Sequence, residues 1–168
     1  LRNGSIISVV SKDTSRGLRA TSGILEEAAT ISQEDYEEVL LPQMNVARRE
    51  VDGTLNSTEP TSCQTFITTA REKTVFMYSK LIECAVNAVL RPKEYFIWGL
   101  SYEVPLHYGL LDKATMLDQR YSTTMDEDSF ARESLSIWTG NAADAWLNSK
   151  KILKHRTLLK CERPLLHT

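Results

Sequence analysis

The chain has 168 residues, of which 20 are Lys or Arg and 22 are Asp or Glu; 42% of the chain is hydrophobic and the net charge is -2. This composition is typical of a globular chain of one domain, or of a domain with a small subdomain, and not of a disordered one. The near-neutral charge excludes a globally basic nucleic-acid binder, and no stretch approaches the roughly 18 apolar residues of a membrane helix.

The cysteines indicate a reducing compartment. They are three in number and widely spaced, at Cys63, Cys84 and Cys161. This pattern fits neither a disulfide framework nor a C-x-x-C metal site, so we expect free thiols in a cytosolic protein. The histidines also lack partners at metal-ligand spacing, and no metal is assigned to them. They are His107, His155 and His167.

The N-terminal part predicts two strands separated by a polar loop. Asn3-Gly4 is typical of a hairpin turn, and residues 5–11 (SIISVVS) would form its outgoing strand, so an upstream segment is expected to supply the incoming one. A polar loop at 11–17 (SKDTSRG) follows. Residues 21–26 (TSGILE) then predict a buried strand that ends in acid.

A helix is expected next, followed by a loop and a second buried strand. Ser32 opens the helix with Asp35 three residues later, and the helix is predicted to run toward Glu50 with Pro42 kinking or dividing it. After the polar loop at 51–63, the β-branched residues 64–69 (QTFITT) favour a central strand.

The rest of the chain is predicted to be mostly helical. Apolar residues recur every three or four positions across 72–90, and Arg91-Pro92 ends that helix. Residues 95–102 (YFIWGLSY) are a fourth strand candidate. Thr124 with Glu127 predicts a capping box that opens a helix stopping at Gly140. A last helix is expected over 142–159.

Alternating strands and helices favour an α/β fold with a mainly parallel sheet, whose ligand site lies at the carboxyl ends of the strands. Two predicted strands end in residues with useful chemistry, Glu26-Glu27 and Thr68-Thr69. The first pair resembles a Walker B motif, in which one acid helps hold Mg²⁺ and the next orients or deprotonates the attacking water.

Each of these features also has a purely structural interpretation. Taken alone, Glu26-Glu27 favours an acidic pair in a loop that faces solvent or the next helix N-terminus, and Thr68-Thr69 favours two good strand formers. Arg16 has the alternative of a surface ion pair of little energetic value. The order of the elements favours a functional role for these residues. A loop with an arginine is followed by a strand ending in two acids, a capped helix, and a strand ending in two threonines.

Residues 3–29 (NGSIISVVSKDTSRGLRATSGILEEAA), followed by 64–70 (QTFITTA), resemble the ATPase domain of large terminase subunits, the DNA-packaging motors of tailed bacteriophages and related viruses. The resemblance extends through Phe130-x-x-Glu133-x-x-x-x-Trp138-x-Gly140, which is similar to the segment that joins the family's ATPase to its nuclease.

The resemblance implies roles for five residues. Glu26 falls at the metal-associated acid, where the family usually has Asp, and Glu27 at the catalytic carboxylate. Thr68 and Thr69 match the coupling motif, which senses the γ-phosphate and signals to a lid. Arg16 resembles the arginine that one subunit supplies to its neighbour's nucleotide, and Arg19 is close enough to compete for that role.

The resemblance further implies that residues 1–104 are the C-terminal part of a P-loop (RecA-like) ATPase core and that 105–168 are a helical lid or linker leading to a nuclease. The cofactors would be ATP and Mg²⁺. The partners would be double-stranded DNA, other copies in a homo-oligomeric ring, a portal and a small terminase subunit, in a viral packaging complex in the host cytoplasm without membrane association. No G-x-x-x-x-G-K-[ST] occurs in these residues, so the phosphate cradle is expected upstream and the fragment alone is expected to be inactive.

Two other classes stay open: another P-loop helicase or translocase, and a non-enzymatic α/β interaction domain. The basic run at 150–156 fits either a DNA phosphate contact or a solvated helix face. The tryptophans are expected to pack in the core or the subdomain. They are Trp98, Trp138 and Trp146.

Overall fold

The computed structural model describes residues 5–11, 14–50, 52–56, 58, 60, 62–140 and 154–155. The predicted hairpin turn at Asn3-Gly4, Trp146 and nearly all of the predicted helix at 142–159 lie outside these residues.

The described part is mixed α/β. Its elements are β1 (Ser22–Leu25), a 3₁₀ turn (Ala28–Thr30), a π-helix (Asp35–Leu40) that continues into α1 (Leu41–Gln43), β2 (Cys63–Phe66), α2 (Phe76–Leu90), α3 (Glu103–His107), α4 (Lys113–Arg120) and α5 (Glu127–Leu135).

The sheet contains the two strands that the sequence predicts most clearly. β1 and β2 are parallel neighbours, with Ser22 opposite Cys63 and Leu25 opposite Phe66. Ladder bonding continues past the strands, since the Ile67 N–H donates to the Leu25 carbonyl at 2.9 Å. The parallel arrangement is therefore confirmed for this pair.

The other two strand predictions are wrong. Residues 5–11 and 95–102 have no strand conformation, because a strand requires a neighbour and neither segment is paired with β1 or β2. Their apolar side chains lie in solvent: Val9 is 98% exposed and Phe96 83%. Trp98, expected in a packed core, is 74% exposed for the same reason.

One face of the sheet packs on the core and the other is open. Leu25, Ala28, Tyr36 and Met77 form the buried cluster together with Ala29 and Met44. The Tyr36 ring lies between Phe66 and Phe76, its hydroxyl donates to Gln64 Oε1 at 2.5 Å, and burial raises its pKa. On the opposite face Ile24 is 73% exposed, which is unusual because parallel sheets are generally covered on both faces.

Gly23 of β1 lies close to Met44, the residue that follows α1. A Cβ at this position would lie 2.3 Å from Met44 Sδ and 3.2 Å from Met44 Cγ. We expect Gly23→Ala to destabilise the chain by about 1–3 kcal/mol through overpacking, measured by urea unfolding. Gly99→Ala is the matched control, since nothing lies within 4 Å of its Cβ position and its φ is outside the left-handed region. In a Met44→Ala background, where the sulfur is absent, Gly23→Ala should cost less than it does in the parent chain. An unchanged midpoint in Gly23→Ala would contradict the contact.

The helix predicted from Ser32 begins as expected but is shorter. Ser32 Oγ accepts a bond from the Asp35 N–H at 3.0 Å, which confirms Ser32 at the N-terminus. The helix ends at Gln43 instead of running to Glu50. Pro42 has no N–H to donate, and the Gln43 carbonyl accepts from the Ala20 N–H at 2.9 Å instead of from the next helical turn.

Helix α2 confirms the periodic prediction, although it begins at Phe76 and not near Glu72. Glu72 forms an isolated parallel bridge with Thr139, which keeps this segment extended. The predicted apolar face is uncovered beyond the first turns, with Ile82 47% and Val89 81% exposed. No helix among the described residues combines the length and apolar character needed to cross a membrane.

Helix α5 has a different cap from the predicted one. Asp126, not Thr124, is the N-cap: its Oδ1 accepts from the Ser129 N–H at 2.8 Å, and this bond is the largest cause of the lowered pKa of Asp126. The helix ends at Leu135 because Ser136 adopts φ 57°. Trp138 therefore follows the helix, and it packs on Tyr78 of α2 with ring centroids 5.5 Å apart.

Candidate functional site

The parallel pairing places the predicted acids and threonines at the same edge of the sheet. Glu26 and Glu27 follow β1 directly, and Thr68 and Thr69 follow β2 after Ile67. Since Leu25 is opposite Phe66, both pairs leave the sheet at its carboxyl edge. This edge is where open α/β sheets bind ligands.

Glu27 has an uncommon backbone conformation. Its φ of 50° and ψ of 38° lie in the left-handed region, which costs a residue with a Cβ about 1 kcal/mol or more. The conformation is held by the neighbouring strand, because the Ala28 N–H donates to the Ile67 carbonyl at 3.1 Å. The Glu27 carbonyl accepts from the Thr30 N–H and hydroxyl at 2.9 and 2.8 Å. The turn thus fixes the backbone of Glu27 while its carboxylate stays exposed, as does that of Glu26.

Thr68 connects the two strand ends through its side chain. Its Oγ1 accepts from the Ala29 N–H at 3.1 Å and its hydroxyl donates to the Thr69 carbonyl at 3.0 Å. The side chain that the resemblance assigns to phosphate sensing is therefore bonded to the turn that carries Glu27. Thr69 is half-buried beside it, and Ala70 is buried.

We expect Thr68→Val to destabilise the chain by about 1–3 kcal/mol, because the Ala29 N–H loses its acceptor in a partly buried place. Thr68→Ser is the matched control, since it keeps the hydroxyl. Urea unfolding measures the difference, and amide exchange at Ala29 locates it. Equal stability of the valine and serine variants would show that the bond contributes nothing.

Arg16 lies in a separate turn on the N-terminal side of β1. The Leu18 N–H donates to the Ser15 carbonyl at 3.0 Å, and Gly17 has φ +88°, which a glycine tolerates. Ser15 anchors the turn: it is 1% exposed, and its Oγ accepts from Gln43 Nε2 at 3.2 Å. Arg16 is exposed at the tip, and so is Arg19 after the turn. Among the described residues, no hydrogen bond or ion pair joins either arginine to Glu27.

The donor set at the strand ends fits a Mg²⁺ ion shared with a nucleotide. Mg²⁺ in such sites is held by one or two carboxylates and by substrate phosphates, not by a cage of protein ligands. Glu26 and Glu27 provide two exposed carboxylates on consecutive residues. Among the described residues, no cluster of three or more His, Cys, Asp or Glu side chains forms a protein-only metal site.

Sequence reasoning missed a polar cluster that follows the threonines. Arg132 Nη1 of α5 lies 3.4 Å from Glu72 Oε1 and donates to Thr139 Oγ1 at 3.2 Å. The side chains of Glu72 and Arg132 are only 14% and 13% exposed. Glu72 and Arg132 are 60 positions apart, so no local sequence pattern predicts that they pair. The sequence feature nearest to Arg132 is Glu133, which is part of the segment that resembles the terminase family.

A groove of about 980 Å³ in the helical region contains none of the predicted site residues. It lies among Trp98, Tyr108, Leu110 and Met116, with other residues between 100 and 134. It is distinct from the strand-end site, and its lining is mostly apolar.

Comparison with protein-family models, with curated proteins and with solved structures found no match to this chain. The functional assignment therefore depends on the residues and their geometry.

Proposed function

We propose that this chain contributes the Walker B and coupling part of a P-loop ATPase core in a DNA-packaging motor of the large-terminase kind. The observation that carries the proposal is the hydrogen-bonded junction of the two strand ends. The acidic pair and the threonine pair emerge at one edge of a parallel sheet, and the Ala29 N–H and Thr68 Oγ1 join them. The left-handed Glu27 is a second support, because such conformations cluster at functional sites.

In this proposal Glu27 positions and deprotonates the water that attacks the γ-phosphate of ATP, and Glu26 helps hold Mg²⁺. When bound, Mg²⁺ neutralises charge that develops on the phosphates. Thr68 and Thr69 report the nucleotide state, Thr68 through its bond to the Glu27 turn. Arg16, exposed at the tip of its own turn, supplies a guanidinium to the nucleotide of a neighbouring copy in a ring. DNA, a portal and a small terminase subunit are the proposed partners, in the host cytoplasm.

The phosphate cradle is proposed to come from an upstream segment of the complete gene product. Backbone N–H groups and a lysine of such a loop bind the phosphates, and the described strand ends supply neither. The open face of β1 and β2, with Ile24 73% exposed, supports a larger sheet with a second covering layer. We expect the 168-residue chain by itself to show no useful ATP turnover or DNA cleavage.

A non-enzymatic interaction domain is the second candidate, and one observation favours it. The Thr68 hydroxyl donates its proton to the Thr69 carbonyl and accepts from the Ala29 N–H, as expected for a residue that only stabilises a turn. In that case Glu26 and Glu27 are solvated acids.

Sequencing the DNA on both sides of the coding region tests the proposal. A phosphate-loop motif upstream together with clustered acids downstream supports a terminase. A phosphate loop without downstream nuclease acids favours a helicase or translocase. A start codon and a stop codon that closely bracket these residues would overturn the ATPase assignment and favour the interaction domain.

A further inference from the structure

We propose that Glu72, Arg132 and Thr139 couple the strand-end site to helix α5, with Arg132 as the positioning residue. This inference rests on the proposed function, because the three residues would transmit a change at Thr68 that accompanies nucleotide binding or hydrolysis to the helical region. Hereafter these three residues are called the α5 junction.

The α5 junction is continuous with the strand-end site along the backbone. Only Thr69, Ala70 and Arg71 separate Thr68 from Glu72, and Ala70 is 4% exposed. A segment this short, with its central residue buried, leaves little room to absorb a displacement of Thr68. In this proposal, movement at the threonines is passed to Glu72.

Backbone bonds then connect this segment to the residues after α5. The Thr139 N–H donates to the Arg71 carbonyl at 3.1 Å, and the Lys73 N–H donates to the Thr139 carbonyl at 2.8 Å. These two bonds hold Thr139 beside Glu72 as an isolated parallel bridge. Thr139 is 6% exposed, so water competes little with them.

Arg132 adds the side-chain connection and links it to the start of α5. In addition to its contacts with Glu72 and Thr139, Arg132 donates from Nη2 to Ser129 Oγ at 3.1 Å. The Ser129 hydroxyl in turn donates to Asp126 Oδ2 at 2.9 Å. Asp126 is the N-cap of the helix. One guanidinium thus bridges the segment after the threonines, the N-terminal turn of α5 and the residues that follow α5. Lysine cannot reproduce this branched set of bonds.

Amide exchange of the 168-residue chain, followed by NMR, tests the coupling without nucleotide. In Arg132→Glu we expect exchange at Lys73, Thr139 and Ala29 to accelerate together by about tenfold or more, because opening at the α5 junction also loosens Thr68. Exchange at Ala20, whose N–H bonds to the Gln43 carbonyl outside this route, should stay unchanged, whereas general destabilisation would accelerate it too. The double variant Glu72→Arg/Arg132→Glu should restore at least the Lys73 and Ala29 protection. The matched control is Arg91→Glu, which breaks the exposed pair of Arg91 and Glu94 at 3.3 Å and should leave all three amides unchanged.

Acceleration confined to Thr139 and α5, with Ala29 unchanged, would overturn the inference. If Arg132→Glu unfolds the chain, Arg132→Lys decides: faster exchange at Ala29 supports the coupling, and unchanged exchange contradicts it. These results do not depend on ATP turnover. Failure of the coupling leaves the Glu27 assignment intact, and a silent Glu27 variant leaves the coupling intact.

Discussion

Glu27→Gln in the complete gene product is expected to reduce ATP turnover by at least about 100-fold, since it removes the proposed general base. The amide has the size of the carboxylate but cannot accept a proton. Its backbone can keep the left-handed turn, which depends on main-chain bonds from Ala28 and Thr30. Nucleotide binding should therefore persist while hydrolysis stops. Phosphate release and equilibrium nucleotide binding measure the two effects separately.

The matched control is Glu38→Gln, an equally exposed glutamate on the π-helix. It should retain wild-type turnover. Glu27→Gly is a second diagnostic variant, because glycine adopts the left-handed conformation without strain. We expect it to keep the fold and lose turnover. Wild-type turnover in Glu27→Gln would refute the catalytic assignment.

Arg16→Ala is expected to reduce turnover by about 10³ to 10⁵-fold, the range associated with arginine fingers in phosphoryl transfer. The fold should be unaffected, because the turn depends on buried Ser15 and on Gly17, while the Arg16 side chain is exposed. Arg16→Lys should recover little, since the planar guanidinium presents two donors to a phosphate and the ammonium is a point charge.

A finger that acts on a neighbouring subunit makes a specific prediction for mixed rings. Arg16→Ala subunits retain Glu27, and Glu27→Gln subunits retain Arg16, so mixing the two inactive variants should restore part of the turnover. Arg19→Ala distinguishes the competing arginine. Full activity in Arg16→Ala with loss in Arg19→Ala would transfer the role to Arg19, and full activity in both variants would exclude a finger in this loop.

Local sequence patterns predicted the elements that depend mainly on their own residues. The three- to four-residue spacing in α2, the apolar run in β1 and the β-branched run in β2 were sufficient to place those elements. The Ser32 cap was also correct, because its bond to Asp35 spans three residues. The parallel edge with Glu26-Glu27 and Thr68-Thr69 has partners that are distant in sequence, and it was predicted from the alternation of strands with helices.

The errors arise where a distant partner decides the outcome. Residues 5–11 and 95–102 have strand-like composition, but a strand needs a ladder, and the sheet of the described residues ends at β1 and β2. The Gln43 carbonyl bonds to Ala20, and this contact ends the helix early. The pair of Glu72 and Arg132 is equally distant in sequence. The Asp126 cap is a different error, because two capping patterns lie within three residues and only the geometry selects one.

The central claim is that the two strand ends form one nucleotide site, and amide exchange of the complete gene product tests it most directly. With Mg²⁺ and a non-hydrolysable ATP analogue, we predict slower exchange in both 26–30 and 67–70, and not in the exposed segment 5–11. The two protected segments should lose this protection together when Mg²⁺ is removed. Protection of only one segment, or of neither at a saturating analogue concentration, would contradict the account.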